Sequence, residues 1–318
     1  MRWMSRIWTS RTRPGNYNGS IALKPHSHAD YITSVNSVSR FSAVELGMSL
    51  DHLDVRRAFE EDEFFPFFQP LVKLSSGQLT GFEALARWNH AQLGAISPDA
   101  FIPIVQKSGY INTLTRKLLE KTFAATPLLP AGLRLSINLS PLQVMDVTLP
   151  GQIAAVAERG GFPLNQLTVE MTEGALLNHL SCAEAVAGAL KDLHCRLSLD
   201  NFGAGHSSLI HLHTLPFDEV KIDRSLIHAM THSRANRTIV AAIFRLGRDL
   251  GLETVAEGVE TEEEAGILSD MHCDMAQGWY FGKPAAAAEI PRMVSADHSN
   301  RAGHSLEREE QDATATAA

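Results

Sequence analysis

The sequence predicts an α/β fold, a TIM-type (β/α)8 barrel whose first two strands form an antiparallel hairpin. Three observations carry this. Eight short β-branched or alternating runs recur along residues 64–281, and helical patterns fill most of the gaps between them. Polar residues gather near the C-terminal ends of runs that a doubly buried parallel strand should keep apolar.

The strand candidates, in order, are Phe64 to Leu74, Leu79 to Trp88, Arg134 to Asn138, Leu167 to Thr172, Arg196 to Asn201, Glu219 to Ile222, Glu253 to Glu257 and Gln277 to Phe281. Only Ser75-Ser76-Gly77-Gln78 joins the first two, and so short a connection forces antiparallel pairing. Among the helical stretches, Ala183, Val186, Ala187, Leu190 and Leu193 form one apolar stripe. Ile239, Ile243, Leu246 and Leu250 form another, stepping by a helical period. Thr261 followed by Glu262, Glu263 and Glu264 marks a helix start, where acids are favoured. Eight strands with mostly helical crossovers suit a closed barrel. The competing open doubly wound sheet lacks a GxGxxG turn after its first strand.

The barrel domain is placed at residues 51–294. Residues 1–50 are rich in Ser, Asn, His and Arg, have no acidic residue before Asp30, and are read as a flexible extension. Organelle targeting, contact with anionic membrane and an upstream start ahead of Met48 are alternative readings. Residues 295–318 are read as a disordered tail.

A formal net charge of −8 argues against a general DNA binder but leaves room for a small anionic ligand held through cations. Cys182, Cys195 and Cys273 are odd in number and form no CxxC pair, so no disulfide framework is expected. No apolar run is long enough to span a bilayer. Cytoplasmic residence is the expectation.

The polar strand-end residues are Asn138, Glu170, Glu173, Asp200, Asn201, Lys221, Asp223, Glu257, Glu260 and Gln277, with Glu83 and Arg87 on one face of the second strand. Active sites of such barrels form at the C-terminal mouth. Crowded carboxylates there repel one another, and hard divalent cations, Mg²⁺ or Mn²⁺, are the simplest neutralising partners. A single acid at a strand end is an ordinary helix cap or surface charge; six strands ending this way are not. Asp223 and Glu260 could simply pair with Lys or Arg. His206, His211 and His213 could form a metal triad, but solvated loop histidines are the preferred reading. Gly203-Ala204-Gly205 could cradle phosphate, but a tight turn is the simpler role.

At these residues the chain resembles the EAL-domain cyclic di-GMP phosphodiesterases over residues 52–290. The matching motifs are FQPLV at 68–72, EALARW at 83–88, INLS at 137–140, VEMTEG at 169–174, LDNFGAGHSSL at 199–209, VKIDR at 220–224, VAEGVET at 255–261 and AQGWYFGKP at 276–284. The resemblance implies that Glu83, Asn138, Glu170 and Asp200 ligate one metal. Asp200 then bridges to a second metal, with Glu257 and the position of Asn201. It implies that Lys221 positions the water or phosphate, that Gln277 completes that network, and that Gln69 and Arg87 contact substrate. Glu173 resembles the residue that braces the loop from Gly203 to Ser208. The implied reaction is two-metal hydrolysis of cyclic di-GMP to linear pGpG, with Glu257 also a candidate proton acceptor. A homodimer is suggested by the resemblance alone.

Three positions depart from the family pattern. Asn201 stands where Asp is usual, His206 where Tyr is common, and Gln106 where Glu is usual. The first removes a negative charge from the second metal position and should weaken it. It leaves two functions open, a phosphodiesterase of reduced activity and a receptor or protein-interaction module that has lost turnover.

Overall fold

The computed structural model describes residues 50–176, 180–203, 212 and 214–296. The readings made of residues 1–49, 204–211, 213 and 297–318, including the three loop histidines and most of the braced loop, lie outside the described residues.

Nine strands form one sheet that closes on itself. In chain order the strands are β1 (Phe64–Lys73), β2 (Gln78–His90), β3 (Gly94–Ile96), β4 (Arg134–Leu139), β5 (Leu167–Thr172), β6 (Arg196–Phe202), β7 (Glu219–Ile222), β8 (Glu253–Ala256) and β9 (Met275–Gln277). From β2 the ring runs through β4, β5, β6, β7, β8 and β9 in parallel pairs. β1 closes it, antiparallel to β2 on one side and β9 on the other. The short β3 pairs only with the end of β2, outside the ring of eight. The predicted barrel and its antiparallel hairpin are therefore present.

The outward strand faces pack on helices. On α6 (Leu180–Asp192), following the four-residue α5 (Glu173–Leu176), Ala183, Val186, Ala187 and Leu190 of the predicted stripe are fully buried, while Leu193 falls just past the helix end and is partly buried. Each large side chain so buried contributes about 1.5–3 kcal/mol. A second apolar cluster joins α1 (His52–Glu60), α2 (Pro98–Lys107) and α3 (Ile111–Ala124) to the outer face of the hairpin through Val55, Phe64, Trp88, Phe101 and Leu114. Buried Glu63 anchors this layer, accepting from Trp88 Nε1 at 2.7 Å and from Arg57 at 2.9 Å. α4 (Leu149–Gly160) packs beside α3, its buried Leu149, Ile153 and Val156 joining the main core. α7 (Arg224–His232) follows β7, and α9 (Glu262–Asp270) starts at a Thr261–Glu264 capping box as its sequence predicts.

Two expectations are corrected. On α8 (Arg234–Asp249) the buried positions are Val240, Phe244 and Gly247, while Ile239 and Leu250 are 47% and 42% exposed. Gly247 sets this rotation, because a Cβ there would lie 2.6 Å from Thr254 Cγ2. The helix thus lies closest to the barrel along its glycine; of the predicted stripe, Ile243 and Leu246 stay partly buried against the core while Ile239 and Leu250 turn outward.

The last strand ends at Gln277, not Phe281. Gly278 sits so tightly on Val259 that a Cβ would fall 2.1 Å from its carbonyl oxygen. The chain then turns, with Phe281 N and Gly282 N both donating to Gly278 O at 3.1 Å. Gly278→Ala should therefore destabilise the protein by roughly 3 kcal/mol, at the upper end of overpacking costs, because backbone must move. Urea unfolding of the variant checks this; a loss below about 1 kcal/mol would show that the turn yields easily.

Candidate active site

Side chains on each strand alternate in and out of the barrel, so residues two apart share a face. Register then decides which inward residues meet. Gln69 lies opposite Glu83, Asn138 beside Glu170, and Thr172 beside Asp200. On β7, Lys221 points inward with Glu219, and it is the lysine that reaches the mouth.

Lys221 is the centre of the cluster. Its Nζ donates to Glu83 Oε2 at 3.1 Å and Glu170 Oε2 at 2.8 Å, and stands 2.8 Å from Glu257 Oε1. Glu83 is held from both sides. Asn138 Nδ2 donates to its Oε1 at 2.5 Å, and Gln277 Nε2 donates to its Oε2 at 2.7 Å. Gln277 also donates to Gln69 Oε1 at 3.1 Å, and Gln69 Nε2 reaches Gly282 O at 3.5 Å. Residues from β1, β2, β4, β5, β7 and β9, with Glu257 just past β8, thus meet in one network.

Asp200 and Asn201 stand as a separate pair at an irregularity in the β6–β7 register. Asn201 takes a left-handed backbone with φ of 57°, which Asn tolerates better than most residues. Its Nδ2 and backbone N donate to Asp200 Oδ2 and Oδ1 at 2.7 and 2.8 Å. The amide here satisfies the carboxylate that a second Asp would repel.

Burial dominates the electrostatics. Glu83, Glu170, Asp200 and Lys221 are all nearly inaccessible and Glu257 is partly buried. Burial, with Glu83 close by, raises the Glu170 carboxyl to about 8 despite Lys221. Burial likewise raises Asp200 to about 7 and Glu257 to about 8, with Lys221 pulling each back. For Glu83 burial also pushes upward, but Lys221, Gln277 and Asn138 together outweigh it and hold its carboxyl below the usual range. Burial disfavours the Lys221 ammonium, yet the four surrounding acids raise it well above its ordinary value.

Three acids share the Lys221 ammonium and Asp200 adds its charge nearby, so full ionisation would leave a buried surplus of negative charge. Among the described residues no group of three or more His, Cys, Asp or Glu stands in a geometry that could hold a metal ion; the acids are drawn onto Lys221 instead. The donor set of carboxylate and amide oxygens, with that surplus charge, nonetheless fits a hard divalent cation.

The other sequence candidates take varied places. Arg87 lies one turn of alternation beyond Leu85 on β2, with its guanidinium carbon 5.4 Å from the centre of the Phe67 ring. Glu173 is buried at the start of α5. Asp223 is a helix cap, accepting from Ser225 N at 2.8 Å, and Glu260 lies 4.0 Å from His228. Of the cysteines, Cys195 and Cys273 are buried and Cys182 is intermediate.

Sequence reasoning missed a mostly apolar cavity of about 480 Å³ between α2, α3 and the outer faces of β2 and β4. It reaches Asn138, Asp200 and Asn201 at the mouth, and Asp99 and Gln106 line it. It also missed the far end of the barrel, where Arg134 and Arg196 both pair with Glu253 above fully buried Glu219. Alternation along Glu219-Val220-Lys221 was the available signal for the latter. No helix among the described residues is long and apolar enough to cross a membrane.

Comparison with known proteins gives a consistent result. The EAL domain family model matches residues 52–284. The bifunctional diguanylate cyclase/cyclic di-GMP phosphodiesterase MucR of Pseudomonas aeruginosa is 34% identical over 246 residues, covering 76% of this chain and 36% of that protein. The cyclic di-GMP phosphodiesterase NbdA of the same organism is 32% identical over 247 residues, covering 76% of this chain and 32% of its own length. This chain thus spans about a third of the length of these relatives. The solved structure "PaMucR Phosphodiesterase, c-di-GMP complex" superposes with a TM-score of 0.71 at 33% identity, covering 75% of this chain and 98% of that one.

Proposed function

The chain belongs to the EAL domain family, and from that premise we propose that its barrel mouth is a metal-dependent phosphodiesterase site that hydrolyses cyclic di-GMP to linear pGpG. The observation that carries the reading is the buried set Glu83, Glu170, Asp200 and Glu257 gathered around one lysine.

Glu83, Asn138, Glu170 and Asp200 would hold one Mg²⁺ or Mn²⁺, and Asp200, Asn201 and Glu257 would serve a second. When bound, such ions polarise the phosphate and lower the pKa of water. The protein's own groups do the rest. Lys221 places a fixed positive charge where the phosphate anion and attacking water must sit. Glu257, 2.8 Å from Lys221 Nζ, is placed to take up the proton the water loses once it is ionised. Gln277 and Gln69 fix the orientation of Glu83, and Arg87 lies further along the same wall to meet substrate. The cavity beside Asn138 is large enough for a purine base. Family resemblance alone adds a homodimer and cytoplasmic residence to this reading.

One observation favours a second reading, a cyclic di-GMP receptor or protein-interaction module. The Asn201 amide already satisfies Asp200 and carries no charge for a second cation. Incubating the protein with cyclic di-GMP and Mg²⁺ or Mn²⁺, and following pGpG by chromatography, separates the two. Slow turnover is expected, rising about 10–100-fold in Asn201→Asp and vanishing in Glu83→Ala. Binding without turnover in both wild type and Asn201→Asp would establish the receptor; absence of binding would favour a protein partner.

A further inference from the structure

We propose that Trp279, oriented by Lys283, is a stacking platform for one nucleobase of the substrate, and so a specificity residue of the phosphodiesterase reading on which it rests.

Trp279 lies two residues beyond Gln277, whose amide donates to Glu83 in the carboxylate network. It is 59% exposed, an unusual state for the largest apolar side chain. Tyr280 beside it is 46% exposed, its ring edge-on to Phe281 at 5.0 Å.

The turn that displays the indole is rigid. Gly278 is locked on the Val259 backbone, Tyr280 N donates to Val259 O at 3.0 Å, and Gly282 N donates back to Gly278 O at 3.1 Å. Gly282 also abuts β1, where a Cβ would lie 2.7 Å from Pro70 Cγ. Gln69 ties the same turn to the network through Gly282 O. The ordering cost of a stacking surface has thus already been met by the fold.

Lys283 Nζ lies 4.8 Å from the centre of the Trp279 ring, a cation–π contact that fixes its orientation. It also puts a positive charge at the rim of a mouth lined by acids. A flat apolar ring beside a cation matches a nucleobase joined to a phosphodiester: the ring takes the base and the ammonium attracts the anion. An uncharged planar ligand would gain nothing from Lys283, and an inorganic phosphate nothing from Trp279. A cyclic dinucleotide carries two bases, and the cavity beside Asn138 on the other side of β1 and β2 provides for the other.

The test compares wild type, Trp279→Ala, Trp279→Phe and Lys283→Met in cyclic di-GMP turnover with Mn²⁺, and in calorimetric titration of cyclic di-GMP. Trp279→Ala should raise KM and Kd roughly 5- to 150-fold, the range of one base–aromatic stack, with kcat little changed. Phe should restore most of the loss, and Lys283→Met should give a smaller rise. The tryptophan emission of wild type should quench on ligand addition, and that component should be absent in Trp279→Phe.

If wild type cleaves or binds the dinucleotide and Trp279→Ala keeps its KM and Kd, the platform is overturned and the phosphodiesterase reading stands. A loss confined to kcat, or one that Phe does not rescue, also overturns the platform, because it would mark a structural role. If wild type neither binds nor cleaves, both readings fall together.

Discussion

Replacing Lys221 with methionine should lower the unfolding free energy of the metal-free protein by about 3–5 kcal/mol, the usual cost of removing one partner from a buried ion pair. Methionine keeps an unbranched apolar stem in a site only 2% exposed, so packing changes little and the lost charge dominates. Three carboxylates, Glu83, Glu170 and Glu257, would then face one another without their shared ammonium. Glu170 and Glu257 can relieve this by taking up protons, so the loss should be larger at about pH 8 than at about pH 5. Saturating Mn²⁺ should recover part of it. Turnover should fall at least about 100-fold with or without that recovery, because the buried ammonium that places the phosphate anion and the attacking water is gone. Urea unfolding in chelator and in Mn²⁺, beside the pGpG assay, measures both effects. A loss under about 1 kcal/mol in chelator would mean that the acids do not depend on Lys221 for their charge balance.

The barrel was legible because its strands are periodic and its polar residues fall at strand ends. The hairpin could be read from a four-residue connection alone. The boundaries that failed did so for tertiary reasons. Gly278-Trp279-Tyr280-Phe281 has strand-forming composition, and only the close approach of Gly278 to Val259 ends β9 before it. β3 is three residues with no alternation to detect. Ile239 and Leu250 belong to an apolar period, but Gly247 brings a neighbouring stripe of α8 to the barrel. Within the site, alternation fixes the face on which Glu83 or Lys221 lies, not which acid it meets. The meeting depends on register across β2, β4, β5 and β7. The bond between Asn201 and Asp200 depends on a left-handed residue at a sheet irregularity, which has no sequence pattern. The cavity near Asp99 and Gln106 depends on how far α2 and α3 stand from the barrel wall.

The raised carboxyls make a further prediction about pH. Burial raises the Glu170, Asp200 and Glu257 carboxyls to about 8, 7 and 8, well above ordinary carboxylates. Between those values and the unfolded range of about 4, the folded state binds more protons than the unfolded one. Their contribution to stability is therefore complete below about pH 4 and is lost as pH rises through about 8. Glu83, held low, works in the opposite sense, but it is one group against three. The melting temperature of the metal-free protein should fall from about pH 5 to about pH 8. A divalent cation needs these groups ionised, so its binding should release protons and tighten with pH over the same interval. With saturating Mn²⁺ the fall should shrink or reverse. Glu170→Gln, permanently uncharged, should flatten the metal-free profile and weaken the response to Mn²⁺. Scanning calorimetry across that range, with chelator and with Mn²⁺, reads both slopes. A metal-free melting temperature that climbs with pH in wild type and Glu170→Gln alike would mean that solvent already neutralises the mouth. The charge surplus that motivates a metal there would then vanish.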